Sequence, residues 1–369
     1  MSTISSAGAI FILFTEAIAG RRELSTLNAI ATRFPSVLGQ LNSTGGTFLA
    51  PTNDAISQYM QATGTDISSV TEASARELIS YHILPLSLRS TDLDRQGGAL
   101  ADTTLLSETF ANLEGKANVV FASAFGSTGQ ETAPSGLRIY SGVGTPANVT
   151  TPDVAFDNGF LHVLDRVLNF PRTCTQTAET ASLSTLLDAL QTANLTDFVD
   201  TTPKFTCFAP TDAAFEAAGV DIKAMNVTQI ADALKYHSIV GDVAYSTALE
   251  DGQEYQTLLG IPVTVRKRDN QLFINDVAVL QGNVIMSNGV AHVLSGVLSP
   301  PEGATPSTTS TLTTATRAQT TVTSIPSTTT SGTSSGSSNG NSASTLGRSG
   351  LFSALAGAFI ASASGLFFL

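Results

Sequence analysis

Apolar positions along this chain change their spacing in a fixed order, and the whole order occurs twice. From Thr47 to Ala50 (Thr-Phe-Leu-Ala) and from Phe205 to Ala209 (Phe-Thr-Cys-Phe-Ala) the residues are β-favouring and apolar, which predicts a buried strand. Pro51 and Pro210 stop each ladder, and Thr52 and Thr211 stand where the N-cap of a following helix belongs. Asn53, Asp54 and Asp212 fall in the first helical turn, where negative charge suits the helix dipole; they read as a solvated helix start. Farther on the period becomes helical. Ala75, Leu78, Ile79 and His82 recur at three- and four-residue spacing, as do Ile230, Leu234 and His237. Each helix thus ends on a Tyr-His pair, Tyr81-His82 or Tyr236-His237, with its imidazole on the core-facing stripe. The pattern then switches to alternation. Asn158-Gly159 and Asn288-Gly289 predict tight turns, and the strands after them place Phe160, His162 and Leu164, or Val290, His292 and Leu294, on one face.

Three boxes in one order, twice over, make the chain a tandem repeat of two units, each large enough for a core of its own. The offset between copies is 159 residues at the first box (Thr47 to Thr206), 155 at the Tyr-His pair (His82 to His237) and 130 at the last (His162 to His292). The first copy therefore carries about 25 extra residues near Asn118–Thr150, a Gly/Ser/Thr-rich stretch that reads as an enlarged surface loop.

The composition shifts after Pro300-Pro301. Residues 302–350 are dominated by Ser and Thr, have little to bury, and read as a disordered stalk open to O-glycosylation. Residues 351–369 are apolar or small throughout and fit a glycosylphosphatidylinositol (GPI) attachment signal, with Asn341 the preferred attachment residue and Ser338 or Gly340 the alternatives; a retained tail helix is the other reading. Residues 1–13 resemble an imperfect secretion signal. Ala17-Ile18-Ala19 looks like a cleavage site, but no Lys or Arg precedes the apolar run and Glu16 interrupts it. Asn42, Asn148, Asn194 and Asn226 are each followed two residues later by Thr, the N-glycosylation pattern of secreted chains. Net charge is −12 with only 13% charged residues, which argues against nucleic acid and against docking on anionic lipid. The only cysteines, Cys174 and Cys207, either pair, tying the start of the second repeat to its box strand, or remain two buried thiols.

All four histidines sit in these boxes, so they form either a duplicated active site or a duplicated structural lock. Zinc wants three or four ligands, and each repeat offers two histidines far apart in sequence, without His-x-x-x-His or a cysteine pair nearby. The expectation is no metal and no cofactor. Gly332–Gly336 and Gly336–Gly340 match the nucleophile-elbow spacing, yet they lie in the Ser-rich tail with no strand before them and no helix after. No catalytic residue is predicted, the chain is read as not an enzyme, and the lock is the favoured reading.

Taken together, Ala50-Pro51-Thr52-Asn53-Asp54-Ala55 with Ala209-Pro210-Thr211-Asp212-Ala213-Ala214, the two Tyr-His pairs and the two Asn-Gly-x-x-His-Val-Leu boxes resemble the fasciclin-like domain family. The likeness covers residues 14–171 and 173–301. It implies an α+β fold, two tandem domains each made of a β-sandwich-like wedge beside a helical bundle, and adhesion or matrix binding in place of catalysis. In animal relatives the Tyr-His region and an Asp-Ile motif before the last box are linked to integrin-type receptors. Pro152-Asp153-Val154 falls at that motif, so Asp153 is the adhesion candidate, an exposed carboxylate able to complete a receptor-held cation's coordination; shaping the turn into the last strand is its plainer role. The second repeat has Asn283-Val284 there, and Ser295 where the first keeps Asp165, which confines any Asp-dependent contact to the first repeat. The expected protein is secreted, glycosylated and GPI-anchored at the outer leaflet or cell wall, mediating adhesion or wall and matrix organisation. Its partner would be a cell-surface or matrix protein or a cell-wall polysaccharide. The alternatives are a small-ligand carrier or hydrolase-like enzyme using a helix/sheet cleft, and a purely structural wall glycoprotein.

Overall fold

The computed structural model describes residues 12–38, 41, 44–124, 136–269 and 271–304. Residues 1–11 of the expected leader, the acceptor Asn42, the stalk from residue 305 onward, Asn341 and the apolar tail lie outside the described residues. In the first repeat the strands are β1 (Gly46–Pro51), β2 (Ile83–Leu84), β3 (Ala99–Asp102), β4 (Val119–Ser123), β5 (Arg138–Tyr140), β6 (Pro146–Phe156) and β7 (Gly159–Leu164). They form one sheet in the order β2-β1-β7-β6-β5-β4-β3. The second repeat runs through β8 (Phe205–Pro210), β9 (Ser238–Val240), β10 (Glu254–Gln256), β11 (Pro262–Arg268), β12 (Gln271–Ile274), β13 (Val277–Met286) and β14 (Gly289–Leu294). Its order, β10-β11-β12-β13-β14-β8-β9, is the same arrangement.

The first and last boxes of each repeat are neighbours. β1 runs parallel to β7, with Leu49 opposite His162, and β8 runs parallel to β14, with Phe208 opposite His292. The other pairings between these strands are antiparallel. A strand in such a seam has no solvent face, which explains why all six residues of β1 and of β8 are buried. Alternation divides them between two cores. Phe48, Ala50, Leu161 and Val163 pack against the helices, while Leu49 and Leu164 join Tyr81, Leu84, Leu93 and Val120 inside the curled sheet. The second repeat divides in the same way, with Cys207 and Ala209 on the helical side and Phe208 and Leu294 on the other.

Two expectations are corrected here. The described parts of the 118–150 stretch are not only loop: they supply β4, β5 and the start of β6, the counterparts of β11, β12 and β13, with Val120, Ile139 and Ala147 buried, while residues 125–135 lie outside the described residues. Ala17-Ile18-Ala19 and Phe14, at the end of the apolar run, belong to the domain. Phe14–Ala19 is a helix whose Phe14 and Ile18 are fully buried, Phe14 meeting Phe48 and Phe156 edge-on at 5.1 and 5.2 Å. Cleavage after Ala19 would remove Phe14 and Ile18 from the core.

The two repeats are also welded to each other. Asn118, fully buried, donates from Nδ2 to the carbonyl of Phe110 at 2.7 Å and to that of Met286 in the other repeat at 3.0 Å. Asn112 donates to Ser287 and Thr201 carbonyls, Gln281 donates to the Gly144 carbonyl, and Lys204 pairs with Glu114 at 2.6 Å. An apolar plug of Val119, Tyr245, Ile285 and Val290 fills the middle. Buried polar groups met across an interface fix one orientation, so the pair is not two beads on a flexible string.

Candidate functional site

The three boxes converge on one knot per repeat. Box one gives the central strand, and its first-helix cap follows directly: Thr52 Oγ1 accepts from the Ala55 amide at 3.2 Å and Thr211 Oγ1 from Ala214 at 3.1 Å. Asn53 and Asp212 are not merely solvated. Asn53 Oδ1 accepts the Thr26 amide at 2.8 Å while its Nδ2 donates to the Arg22 carbonyl, and Asp212 accepts the Thr185 amide and the Ser184 hydroxyl. Both residues therefore hold an earlier helix against the start of the next.

The Tyr-His pair closes the knot from the side. Tyr81 and Tyr236 are buried, and their hydroxyls donate to carbonyls of the far strands, Val119 at 3.1 Å and Pro262 at 3.4 Å. His82 ends the Glu72–Tyr81 helix; its Nδ1–H donates to the Leu78 carbonyl at 2.9 Å, and its Nε2 accepts the Leu168 amide at 3.0 Å. His237 repeats this with Ala233 at 2.8 Å and Leu298 at 2.9 Å. Each ring therefore staples a helix end to the chain that leaves the last strand. The His82 and His237 carbonyls in turn accept from Leu49 and Phe208 amides in the central strands.

The strand histidines do a parallel job. His162 Nε2–H donates to the Leu88 carbonyl at 3.0 Å, and its Nδ1 accepts the Asp153 amide at 3.1 Å. His292 Nε2–H donates to the Ala244 carbonyl at 2.8 Å, but its buried Nδ1 meets no partner. The strap that each ring holds is gripped again by a threonine. Thr47 Oγ1 donates to the Leu86 carbonyl and accepts the Leu88 amide, both at 2.7 Å; Thr206 does the same with Asp242 and Ala244, both at 2.9 Å. By composition Thr47 and Thr206 are simply β-formers, and their recurrence in both copies of the box is the signal that marks them as braces.

Burial governs the chemistry. Desolvation pulls His82, His237 and His292 down to about 4 against the small upward pull of their carbonyl bonds, and it lowers His162 as well. Neutral rings sealed from solvent, three of them committed at both nitrogens and His292 through Nε2 alone, are locks. Among the described residues no group of three or more His, Cys, Asp or Glu side chains could hold a metal ion.

Asp153 sits in a β-bulge of β6 with φ of 56°, and Asn283 occupies the matching bulge of β13 with φ of 53°. The Asp153 carboxylate is half-buried and accepts both the amide and the hydroxyl of Ser90. It is not the free, exposed carboxylate expected from the sequence. Asn283 Oδ1 accepts the Ser246 amide at 2.8 Å while its Nδ2 donates to that hydroxyl. Asp165 is likewise engaged, accepting from Asn148 N at 2.7 Å and Nδ2 at 2.6 Å.

Cys174 and Cys207 are buried thiols joined by a side-chain hydrogen bond, not a disulfide. That bond, with burial behind it, raises the Cys174 thiol well above its usual range, and the thiolate is the form that exchanges. The acceptors Asn148, Asn194 and Asn226 are exposed. Asn226 caps its helix, its Oδ1 accepting the Gln229 amide.

The fasciclin-domain family model matches residues 22–171 and again 181–300. The chain belongs to the fasciclin family. Its two repeats are two fasciclin domains in tandem, mixed α+β. A fasciclin-like arabinogalactan protein from Arthroderma benhamiae is 27% identical over 290 residues, 78% of this chain and 66% of its own length. Another, elcF of Phaeosphaeria nodorum, is 29% identical over 279 residues, covering 74% of this chain and 84% of that one. Porcine transforming growth factor-beta-induced protein ig-h3 shares 31% identity over 149 residues, 22% of its length. A FAS1 domain pair from the insect cell adhesion molecule Fasciclin I aligns with 75% of this chain at 21% identity and a TM-score of 0.37. No helix among the described residues is long and apolar enough to cross a membrane. In these fasciclin domains the box threonines, tyrosines and histidines serve closure, while Asp54 and Ala213 of the first boxes are exposed.

Proposed function

We propose that this protein is a secreted, glycosylated, GPI-anchored fasciclin protein of the cell surface that organises cell-wall or matrix contacts and has no catalytic role. The observation that carries this is the inward commitment of all four histidines: the groups best suited to chemistry near neutral pH are used to hold the fold. The fungal fasciclin-like arabinogalactan proteins among its relatives support a wall or surface setting. Exposed Asn148, Asn194 and Asn226 and the Ser/Thr-rich stretch before the apolar tail support glycosylation and display on a stalk. Asp153 is assigned to bracing Ser90, so contact is made by the surface around the domains. Welded domains would present their surfaces at one fixed spacing, which favours repetitive partners. Treating intact cells with a phosphatidylinositol-specific phospholipase should release the protein and reduce cell–cell or cell–matrix binding at unchanged wall composition. Retention of the protein, or release without loss of binding, would count against the reading.

A further inference from the structure

We propose that an open groove on the first domain, about 880 Å³ in volume, is a binding site for a neutral polysaccharide segment. The inference rests on the surface reading above and names a partner class for it. The volume lies within the range of small-ligand sites. The groove is lined by residues of the Glu72–Tyr81 helix and of the 104–107 segment, with the buried Ile83 and Leu105 behind them. The lining carries hydroxyls, from Ser74, Ser80, Thr104 and Ser107, and one opposed pair of charges, Arg76 and Glu77.

Three features select a neutral sugar. First, polar capacity is left over. Arg76 uses Nη2 on Glu72 and Ser36, keeping other N–H donors. Thr104 Oγ1 donates to the Ser80 carbonyl at 2.9 Å and can still accept. The Glu77 carboxylate accepts no hydrogen bond among the described residues. Vicinal sugar hydroxyls both donate and accept, and match such a set. Second, the groove holds one cation and one anion on a chain of net charge −12, so a polyanion would be repelled. Third, an extended peptide has no edge to join. β2 is an edge strand, but the Ile83 carbonyl already accepts the Thr104 amide at 3.0 Å, and Pro85 has no N–H to offer.

The test is calorimetric titration of the purified full chain with a neutral β-glucan hexasaccharide, an oligogalacturonate and an extended peptide. The hexasaccharide should bind and the other two should not. Glu77→Ala, which removes the free acceptor, should weaken binding about tenfold, the worth of one hydrogen bond to a charged group. Ser107→Tyr, which fills the groove from a half-exposed position, should abolish it; unchanged circular dichroism and melting show that both variants fold. No hexasaccharide binding by the wild type, equal affinity in both variants, or preference for the anionic chain or the peptide would overturn the proposal. If the wild type binds no sugar while phospholipase still strips the protein and adhesion together, the groove assignment fails alone. If binding depends on Glu77 but adhesion never depends on the protein, the surface reading fails alone.

Discussion

The first domain braces its bulge with a carboxylate, Asp153 on Ser90, and the second with an amide, Asn283 on Ser246. Both bulge residues take positive φ, both accept a serine amide, and both meet the serine hydroxyl; only the direction of that last hydrogen bond is reversed. The strand histidines differ too. His162 uses both nitrogens, while His292 leaves Nδ1 buried and unpartnered. Two copies of one fold thus retain the geometry of closure and dispense with its charge. A residue that can lose its charge in one copy without losing its place is more simply a brace than a contact residue.

The largest expected effect is on acid stability. The ordinary histidine value is 6.5, and His82, His237 and His292 are held near 4 when folded. Only the unfolded chain takes up these protons between pH 6.5 and 4. The stabilisation is therefore whole above 6.5, is lost as pH falls to about 4, and does not fall further below that. Each ring contributes about 3 kcal/mol by linkage. Asp102 and Asp242, raised by burial, act in the opposite sense over part of this range, so the net loss should be several kcal/mol. Urea unfolding at pH 7 and pH 4.5 measures it; equal midpoints would mean that the rings are not sealed.

Next come the glycines of the last box. A methyl group on Gly159 would strike the Gly46 carbonyl oxygen, and one on Gly289 would strike that of Phe205, across the parallel seam in each case. Backbone must move, so Gly159→Ala and Gly289→Ala should each cost about 3 kcal/mol or more in denaturant unfolding. A tolerant Gly159 beside an intolerant Gly289 would show that the first domain's seam is looser than the second's. The strand histidines give a smaller difference. His162→Ala orphans the Asp153 amide and leaves the Leu88 carbonyl only a 3.4 Å hydrogen bond from Thr47 Oγ1, whereas His292→Ala orphans only the Ala244 carbonyl. The first should cost about 1–2 kcal/mol more than the second, and the reverse order would break the comparison.

Much of this knot was legible in the sequence because it is written locally. Strand, proline stop, cap and helix follow one another within the first box, and the Asn-Gly turn sits directly before its strand. What brings the boxes together was not legible. β1 and β7 lie more than a hundred residues apart, and nothing in either strand specifies a parallel partner. Side chains that reach distant backbone were missed for the same reason: Thr47 on 86–88, Asn53 on Thr26, Asn118 on Met286. Yet repetition held a usable hint. Ser90-Thr91 and Ser246-Thr247 recur in both copies, as do Thr47 and Thr206, and each recurrence marks a brace. Asn118 has no such echo, because an interface between unlike faces needs it only once.

The smallest effect on stability discriminates most sharply between brace and contact. Asp153→Asn rebuilds in the first domain the pair already present in the second, with the new Nδ2 donating to the Ser90 hydroxyl and Oδ1 still accepting its amide. The backbone amide that serves His162 Nδ1 is untouched. Stability at pH 7 should change by less than about 1 kcal/mol. The proton affinity of the neighbouring ring should nevertheless respond. Burial lowers His162, while the Asp153 charge pulls it upward, a pull that His292 lacks opposite Asn283. In Asp153→Asn, His162 should therefore titrate at lower pH than in the wild type, closer to His292, as followed by NMR of the ring protons. A folded variant with wild-type adhesion and a lowered His162 would fix Asp153 as a brace whose charge tunes its neighbour. Lost adhesion at unchanged stability would return that carboxylate to the surface as a contact.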